Sequence, residues 1–357
     1  MLLHDGEVCL PAMRQAIAAA EREVLLEMYW FGSDATGRAF AEALSEKARQ
    51  GVRVCVTYDC VGSWETDRSM FAEMRRAGCE VFEYNPLRFW RPHWRIGNRR
   101  NHRKQLIVDG RVGLTGGVNL ADPWASAAHG GGAFRDDMIR IEGPGVASMR
   151  EIFAATFQAF PGARPLDPIE PSAPCGETRV AVLANDHRKH RKLIERAYLT
   201  AIRAARTRVL IENSYFIPGL LVRYALGRAV QRKVEVRVVL PLESDVPAVS
   251  YATRRLYGAL LRRGIRLYEW GRNVLHSKTA VIDDTCMVGT HNLDYRSWLY
   301  NLEINVSVDD PNIAAQLAQR IERDIAESVQ VDARVWRYRP LLERLLEEFF
   351  YRFRRLL

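Results

Sequence analysis

Lysine is scarce in this chain. Only six of its 52 basic residues are lysines, so the remaining 46 are arginines. Arginine is therefore the default cation, and a lysine that recurs in a pattern indicates a site that needs a compact point charge rather than a planar fork.

Cysteine clusters and long apolar runs are also missing. The six cysteines show no C-x-x-C spacing, which argues against a zinc cluster or a disulfide framework and favours a reducing compartment. No stretch approaches the roughly 18 apolar residues of a membrane span. Glu21, Glu23 and Glu27 interrupt the first apolar run, so no signal peptide is expected. We therefore expect a soluble or peripheral protein.

Positive charge is in excess. The net charge of +9 favours an anionic partner, either nucleic acid or an acidic membrane surface. A length of 357 residues with 48% apolar content suits two domains with sizeable cores.

Two segments share one pattern. Residues 102–109 read HRKQLIVD and residues 276–283 read HSKTAVID, so both follow His, one residue, Lys, four residues, Asp. Each is followed by a small-residue turn that ends in Asn, GGVN at 116–119 and GTHN at 289–292. The composition gives on the order of 0.01 accidental matches. The repetition therefore predicts a duplicated functional site.

The rest of the chain also reads as one unit written twice. Predicted helices are 13–23, 37–49, 67–77 and 146–160, then 188–205, 221–231, 250–263 and 313–327. Predicted strands are 24–31, 52–58, 79–84, 102–108, 112–115 and 138–141, then 208–216, 234–240, 265–269, the second motif strand, 286–288 and 303–308. This alternation predicts an α/β fold in which each half is a mostly parallel mixed sheet with helices on both faces. The segment 161–178 holds five prolines and is the expected linker between domains 1–165 and 177–357.

The repeated residue types suit phosphodiester cleavage without a metal or another cofactor. A neutral histidine can attack phosphorus and form a phosphohistidine, while a protonated one donates to the leaving oxygen. His102 and His276 are the candidates. Lysine and asparagine side chains stabilise phosphoryl oxygens, and we assign this role to Lys104, Asn119, Lys278 and Asn292.

Carboxylates complete the predicted catalytic set. Each histidine needs an acceptor on its other ring nitrogen. Asp136 lies 34 residues after His102 and Glu303 lies 27 residues after His276, each at the start of the next strand, so we expect each acid to orient the histidine before it. Asp109 and Asp283 end the motif strands at a turn and are included among the catalytic residues.

These strings resemble the phospholipase D superfamily, the two-motif HKD enzymes, and within it the bacterial cardiolipin synthases. Further support comes from EMYWF at 27–31, SYFIP at 214–218, GTHNLDYRS at 289–297 and NLE at 301–303. The resemblance runs from about Asp5 to Ala326. It implies two tandem phospholipase-D-like domains related by pseudo-twofold symmetry. It also implies phosphatidyl transfer through a phosphohistidine on His102, with phosphatidylglycerol as donor and usually as acceptor, and no cofactor.

Some positions depart from the family pattern. Gly117 stands where Ser is common, its counterpart is Thr290, and the turn after Asp283 is one residue shorter than the turn after Asp109. We expect Gly117, Thr290 and Arg296 to contact substrate, and the departures leave the acceptor alcohol open.

The chain resembles shorter family members without N-terminal membrane spans. We expect a peripheral protein on the cytoplasmic face of the bacterial inner membrane, with phosphatidylglycerol in an anionic membrane as its partner. Nucleic acid is not expected, and the oligomeric state is left open.

Other readings remain. Water in place of the alcohol would make the protein a phospholipase D hydrolase, and the charge also fits a nuclease on the same fold. The basic, aromatic stretch 88–100 suits anionic head groups, nucleic acid or a solvated loop. The tail from Leu341 to Leu357 suits an amphipathic helix on a membrane or packing on the second domain. His187 and His190 have a metal-binding spacing, but their basic surroundings favour a solvated face.

Overall fold

Two mixed sheets form the framework of the protein, seen in a computed structural model that describes residues 1–87, 98–186 and 192–357. The strands of the first half are β1 (Leu2–His4), β2 (Glu23–Met28), β3 (Arg53–Asp59), β4 (Glu80–Tyr84), β5 (Gln105–Val108), β6 (Val112–Gly116), β7 (Phe134–Arg135) and β8 (Asp137–Glu142). All of these except β7 belong to one sheet with the order β1-β8-β6-β5-β2-β3-β4.

The second half repeats this arrangement. Its strands are β9 (Arg179–Asn185), β10 (Arg208–Asn213), β11 (Glu235–Pro241), β12 (Arg266–Trp270), β13 (Val274–Leu275), β14 (Lys278–Ile282), β15 (Thr285–Gly289), β16 (Glu303–Asp309) and β17 (Val329–Gln330). The second sheet has the order β17-β12-β11-β10-β14-β15-β16-β9. Strand β13 pairs instead with β7, which joins the two halves.

The helices follow the predicted alternation. They are α1 (Asp5–Ala18), α2 (Ala35–Arg49), α3 (Arg68–Arg76), α4 (Gly145–Phe157), α5 (Leu193–Ala204), α6 (Leu220–Gln231), α7 (Pro247–Leu261), α8 (Tyr295–Leu299), α9 (Pro311–Ala326), α10 (Ala333–Trp336) and α11 (Leu341–Arg352). Several begin at a capping aspartate, as when Asp34 accepts a hydrogen bond from the backbone N–H of Gly37. The α/β class and the repetition are confirmed.

The strand directions correct one part of the prediction. The sheets are mixed, but they are not mostly parallel. Within the described residues, two of six neighbouring pairs in the first sheet and two of seven in the second are parallel. The reason is that tight turns at Asp109 and Asp283 make β5–β6 and β14–β15 antiparallel hairpins. Because β5 and β14 run against β2 and β10, each motif begins at the carboxyl end of a parallel strand.

The two sheets also share a core. Along β2 the side chains alternate, so Val24 and Leu26 pack beneath α1, α2 and α3, while Leu25 points to the other side. That inner side holds α4, α9 and the second sheet, with Phe153 and Ile321 fully buried between them. The inner face of each sheet is therefore covered by one helix and by the opposite half, rather than by helices alone.

Element limits differ most where the chain is least periodic. The first helix is Asp5–Ala18, not 13–23, and the strands β1 and β9 lie in segments for which no strand was predicted. Residues 158–178 contain no helix or strand, as a linker would, and the division into two domains there stays a prediction. None of the helices in the described ranges combines the length and the apolar character needed to cross a bilayer.

Candidate active site

The two histidine motifs meet where the halves are joined by backbone hydrogen bonds. The N–H of His102 donates to the carbonyl of Leu302 at 3.0 Å, and the N–H of His276 donates to the carbonyl of Arg135 at 2.8 Å. Each acceptor immediately precedes a predicted catalytic carboxylate, Glu303 or Asp136. The motif strands begin only at Gln105 and Lys278, so both histidines lie in the extended residues that lead into the strands.

Each histidine is oriented by the carboxylate of the other half. Nδ1 of His102 lies 3.1 Å from Oε2 of Glu303, and Nδ1 of His276 lies 2.7 Å from Oδ2 of Asp136. Both predicted acids contact a motif histidine, but the expected pairing within each half is wrong. The backbone bridges explain the exchange, because each motif histidine is hydrogen-bonded to the residue before the opposite acid. With Nδ1 occupied, Nε2 is the ring nitrogen left for chemistry.

Both lysines lie beside their histidines and are fully buried. Nζ of Lys104 donates to the carbonyl of His102 at 2.9 Å and sits 5.0 Å from the centroid of the Tyr29 ring. Nζ of Lys278 donates to the carbonyl of His276 and lies 3.0 Å from its Nδ1. Burial lowers the pKa of Lys104 to about 7, and the charge of Lys278 adds to this effect. The two halves therefore bring their cations into one electrostatic site.

The imidazoles are held neutral in the free site. Burial lowers the pKa of His102 to about 4, against the opposing effect of Glu303. Burial and then the charge of Lys278 bring the pKa of His276 well below its usual range. The charge of Lys104 also lowers the pKa of both histidines, so its electrostatic effect reaches from the first motif to His276 in the second.

The two orienting acids differ in their own protonation. Burial raises the pKa of Asp136 to about 6, with Lys278 opposing the rise. Burial also disfavours the charge of Glu303, but the charge and hydrogen bond of His102 outweigh it and lower the pKa to about 2. Glu303 is thus anionic throughout the neutral range, whereas Asp136 titrates near it.

The two asparagines are buried at the predicted turns. The side-chain oxygen of Asn119 accepts from the backbone N–H of Trp30 at 3.1 Å, and that of Asn292 accepts from the hydroxyl of Ser214 at 2.8 Å. These bonds fix the orientation of both amides. Since the oxygens are engaged, the amino groups are the donors that a phosphate oxygen would meet.

The motif aspartates lie away from the imidazoles, and their contacts indicate a structural role rather than the predicted catalytic one. Asp109 closes β5, roughly 17 Å from Lys104 at the spacing of an extended chain. Its carboxylate accepts from the backbone N–H groups of Glu21, Arg22 and Glu23 at 2.8–3.0 Å. Asp283 binds residues 206–208 in the same way. Both have positive φ, 53° and 51°, which suits the hairpin turns that they begin. Their hydrogen bonds hold residues 21–23 and 206–208, which lead into β2 and β10.

The predicted substrate contacts are arranged differently from each other. The hydroxyl of Thr290 donates to Oε2 of Glu303 at 2.5 Å, and a Cβ added to Gly117 would lie 2.0 Å from Oδ1 of Asp136. Thr290 thus donates to one orienting acid and Gly117 packs against the other. Their assignment as substrate contacts stays a prediction. Arg296 is half-buried and donates to the carbonyl of Leu356 at 3.0 Å, which ties it to the C-terminal tail.

Aromatic residues that the sequence argument did not assign to the site surround the imidazoles. Tyr29 packs edge-on against His102, with ring centroids 4.9 Å apart, and Trp124 does the same against His276 at 5.3 Å. Trp124 also donates its indole N–H to Asp136 at 3.0 Å. Tyr29 lies in a string that carried the family resemblance. Trp124 ends a short 3-10 helix, Asp122–Trp124, where no periodic signal in the sequence marks it.

Two earlier interpretations fall on residues outside the described ranges. The stretch 88–100 is described only from residue 98 onward, and the pair His187 and His190 lies wholly outside. In the described residues, no group of three or more His, Cys, Asp or Glu side chains is placed to hold a metal ion.

Comparison with known proteins agrees with this geometry. The family model described as cardiolipin synthase, PLD-like domain, matches residues 13–130 and 198–325. The chain belongs to this family. A cardiolipin synthase of Geobacillus kaustophilus is 31% identical over 351 residues, which is 97% of this chain and 70% of that protein. Cardiolipin synthase A of Yersinia pseudotuberculosis is 33% identical over 364 residues, which is 100% of this chain and 75% of that protein. The chain is thus an enzyme of the phosphatidyltransferase class.

A solved structure supports the fold. The phosphatidylserine synthase of Haemophilus influenzae matches with a TM-score of 0.76 at 13% identity, over 100% of this chain and 95% of that one. At this identity the likeness concerns the fold alone, and it confirms the two-repeat phospholipase-D-like architecture of the chain.

Proposed function

We propose that the cardiolipin-synthase-family site moves a phosphatidyl group from phosphatidylglycerol to an alcohol, with a second phosphatidylglycerol as the acceptor. The observation that supports this proposal is the crossed pair of imidazoles. Each has Nδ1 held by a buried carboxylate of the other half, which leaves each Nε2 for chemistry, and we propose that one phosphate meets both.

In the first step, Nε2 of His102 attacks phosphorus and forms the phosphohistidine bond. The bond between phosphorus and the glycerol head-group oxygen breaks, and that oxygen takes a proton from His276. The low pKa of His102, about 4, supports the nucleophile role because the ring is neutral when it attacks. Glu303 at its Nδ1 stabilises the positive charge that the ring gains.

His276 must carry a proton for this step. In the free site, burial and the lysine charge lower its pKa. An anionic phosphodiester counteracts the lysines and raises that pKa. We therefore propose that His276 takes up its proton as the substrate binds.

In the second step, the hydroxyl of the acceptor attacks the same phosphorus. Its proton passes to His276, the new phosphorus–oxygen bond forms, and His102 leaves as a neutral imidazole. One phosphodiester is exchanged for another, so no nucleotide is consumed. Lys104, Lys278, Asn119 and Asn292 would bind the phosphoryl oxygens in both steps.

The proposed setting is the cytoplasmic face of a bacterial inner membrane, where the enzyme would act as a peripheral protein. An anionic membrane that contains phosphatidylglycerol is the partner that the excess of positive charge favours. We also propose that residues 1–165 and 177–357 are the two catalytic domains.

Incubation of the protein with phosphatidylglycerol vesicles, without added metal or nucleotide, tests the reaction. Mass spectrometry should find cardiolipin and free glycerol in equal amounts. Phosphatidic acid alone, even with a choice of added alcohols, would replace the transferase by a hydrolase. Turnover of single-stranded DNA but of no lipid would replace both by a nuclease.

A further inference from the structure

The C-terminal helix α11 leaves an apolar face uncovered. Its inner side packs on α7, where Phe350 stacks on Tyr251 with centroids 5.6 Å apart. Its outer side carries side chains that are between 54% and 68% exposed: Leu341, Leu342, Leu345 and Phe349. The predicted packing on the second half is therefore confirmed for one face of the helix, and the membrane contact stays a prediction for the exposed stripe.

A basic cavity adjoins this helix. It has a volume of about 750 Å³ and lies between α7 and the segment 333–348. One carboxylate, that of Glu348, lines it together with five arginines: Arg255, Arg262, Arg337, Arg339 and Arg344. Of these arginines, Arg255 pairs with Glu348 and Arg339 pairs with Glu347.

Three of the cavity arginines carry uncompensated charge. Arg262, Arg337 and Arg344 have no acidic partner among the residues that the structure describes. The whole segment 333–357 holds seven arginines and three glutamates, a side-chain charge of +4. Guanidinium groups bind phosphate oxygens in a bidentate manner. The cavity therefore suits a phosphate group, and the adjoining stripe suits acyl chains.

We propose that α11 and the arginine cavity form a docking surface for an anionic bilayer. A lipid phosphate occupies the cavity, and the leucine and phenylalanine stripe enters the boundary of the acyl region. Charge decides between this occupant and a second copy of the chain. Two copies joined through this face would bring like-charged arginine clusters together, whereas an anionic membrane neutralises them.

The residues that follow α11 contact α8, the helix after the second motif turn. Arg296 of α8 donates to the carbonyl of Leu356, and the guanidinium of Arg354 lies 5.7 Å from the Tyr295 ring centroid. Helix α8 begins three residues after Asn292. The tail thus contacts a helix that is close in sequence to Asn292, and we place a bilayer bound at α11 on this side of the protein. The choice of a lipid partner rests on the proposed function, but binding to the surface can be measured without turnover.

Vesicle sedimentation tests the surface. Vesicles of phosphatidylcholine with phosphatidylglycerol should bind the protein, and pure phosphatidylcholine vesicles should bind it weakly. The triple variant R262Q/R337Q/R344Q should lose about a hundredfold in affinity, since each arginine near an anionic surface contributes a factor of about five. The matched control R111Q/R179Q/R323Q removes the same charge from exposed positions on other elements, and we expect it to bind within about fivefold of the wild type.

Three further measurements separate the alternatives. Turnover of a short-chain, water-soluble phosphatidylglycerol by R262Q/R337Q/R344Q should equal that of the wild type, which shows that the variant is folded and its chemistry intact. Equal vesicle binding by the two triple variants would overturn the docking surface. So would a dimer in sedimentation velocity that L342S/L345S converts to a monomer, because the stripe would then be a protein interface. Saturable binding of inorganic phosphate, lost in the cavity variant while vesicle binding is retained, would assign the cavity to a soluble anion and overturn the proposal.

Discussion

The two halves of the active site are near copies of each other, yet they present their histidines differently. His102 faces Glu303, whose pKa is lowered to about 2 and which is supported by the Thr290 hydroxyl. His276 faces Asp136, whose pKa burial raises to about 6 and which lies against Gly117. Lys278 lies 3.0 Å from Nδ1 of His276, whereas Lys104 is directed to the backbone of His102 and the Tyr29 ring.

The difference suits two different tasks. A nucleophilic imidazole becomes cationic when it binds phosphorus, so a permanently anionic partner stabilises the intermediate on it. An imidazole that gives and takes a proton needs a balance that the substrate can shift. The two halves thus share one backbone arrangement. We infer that the residues around each carboxylate decide which histidine acts as the nucleophile and which transfers the proton.

Removal of either imidazole should have the largest effect. We expect His102→Ala and His276→Ala each to lower kcat by at least about 10⁴-fold, because the first removes the nucleophile and the second the proton donor. Cardiolipin formation from phosphatidylglycerol measures this loss. Near-wild-type turnover in either variant would refute the two-histidine mechanism.

Neutralising the two orienting acids should reveal the asymmetry between the halves. Glu303→Gln should lower kcat on the order of 10³-fold, because the charge that supports the phosphohistidine is lost. Asp136→Asn should cost about tenfold less, since its carboxylate is already partly protonated near pH 6. Steady-state kinetics of both variants at one pH give the comparison, and equal losses would remove the proposed division of roles.

Of the two orienting acids, only Asp136 should contribute to the pH dependence near neutrality. Below about pH 6, Asp136 becomes protonated and no longer accepts from His276. Above about pH 7, Lys104 loses its charge in the free enzyme. We therefore expect kcat/KM to peak between these values and to fall about tenfold per pH unit outside them.

Asp136→Asn provides the check on this assignment. It should abolish the acid limb while the alkaline limb remains. Glu303 contributes no limb near neutrality because its pKa is about 2. An acid limb that persists unchanged in Asp136→Asn would assign it to another group.

A smaller difference is expected behind the two acids. Gly117→Ala places a methyl group where Oδ1 of Asp136 lies, so the carboxylate must move away from His276. We expect a loss in kcat of about 30-fold. Thr290→Val keeps the shape and removes one hydrogen bond to Glu303, for a loss of about tenfold. Steady-state kinetics of the two variants compare their losses in kcat, and a greater loss for Thr290→Val would contradict the steric argument.

The smallest effect on catalysis is expected at the motif aspartates. Asp109→Asn weakens three hydrogen bonds from the backbone of residues 21–23, and it should lower the free energy of unfolding by about 1–3 kcal/mol. Urea denaturation measures that change. The kcat of the folded variant should stay at the wild-type level, and a loss comparable with Glu303→Gln would return Asp109 to the catalytic set.

Residue types and spacing predicted much of this site but not its connections. The repeated pattern identified His102, Lys104 and their counterparts, because the chemistry restricts which side chains can serve. The crossing of Glu303 to His102 could not be read from the chain, since it depends on how the two sheets face each other. Asp109 was misplaced for a related reason. The pattern does not say that its two ends lie at opposite ends of a strand.

The fold shows the same limit. Apolar and β-branched runs located β2, β3, β10 and β11, which are buried on both faces. The sequence overestimated the share of parallel strand pairs, because the alternation of helices and strands ends at the motif hairpins. Strand β1 has three residues and β9 is largely half-exposed, so neither produces a strong apolar signal.

Capture of the covalent intermediate tests the central claim most directly. The wild-type protein and His102→Ala would each be mixed with phosphatidylglycerol, quenched at alkaline pH, where a phosphohistidine bond is stable, and mapped by peptide mass spectrometry. We predict a phosphatidyl adduct on the peptide that contains His102 in the wild type, and no adduct in His102→Ala. An adduct on the peptide that contains His276 in the wild type, or turnover without any adduct, would contradict the account.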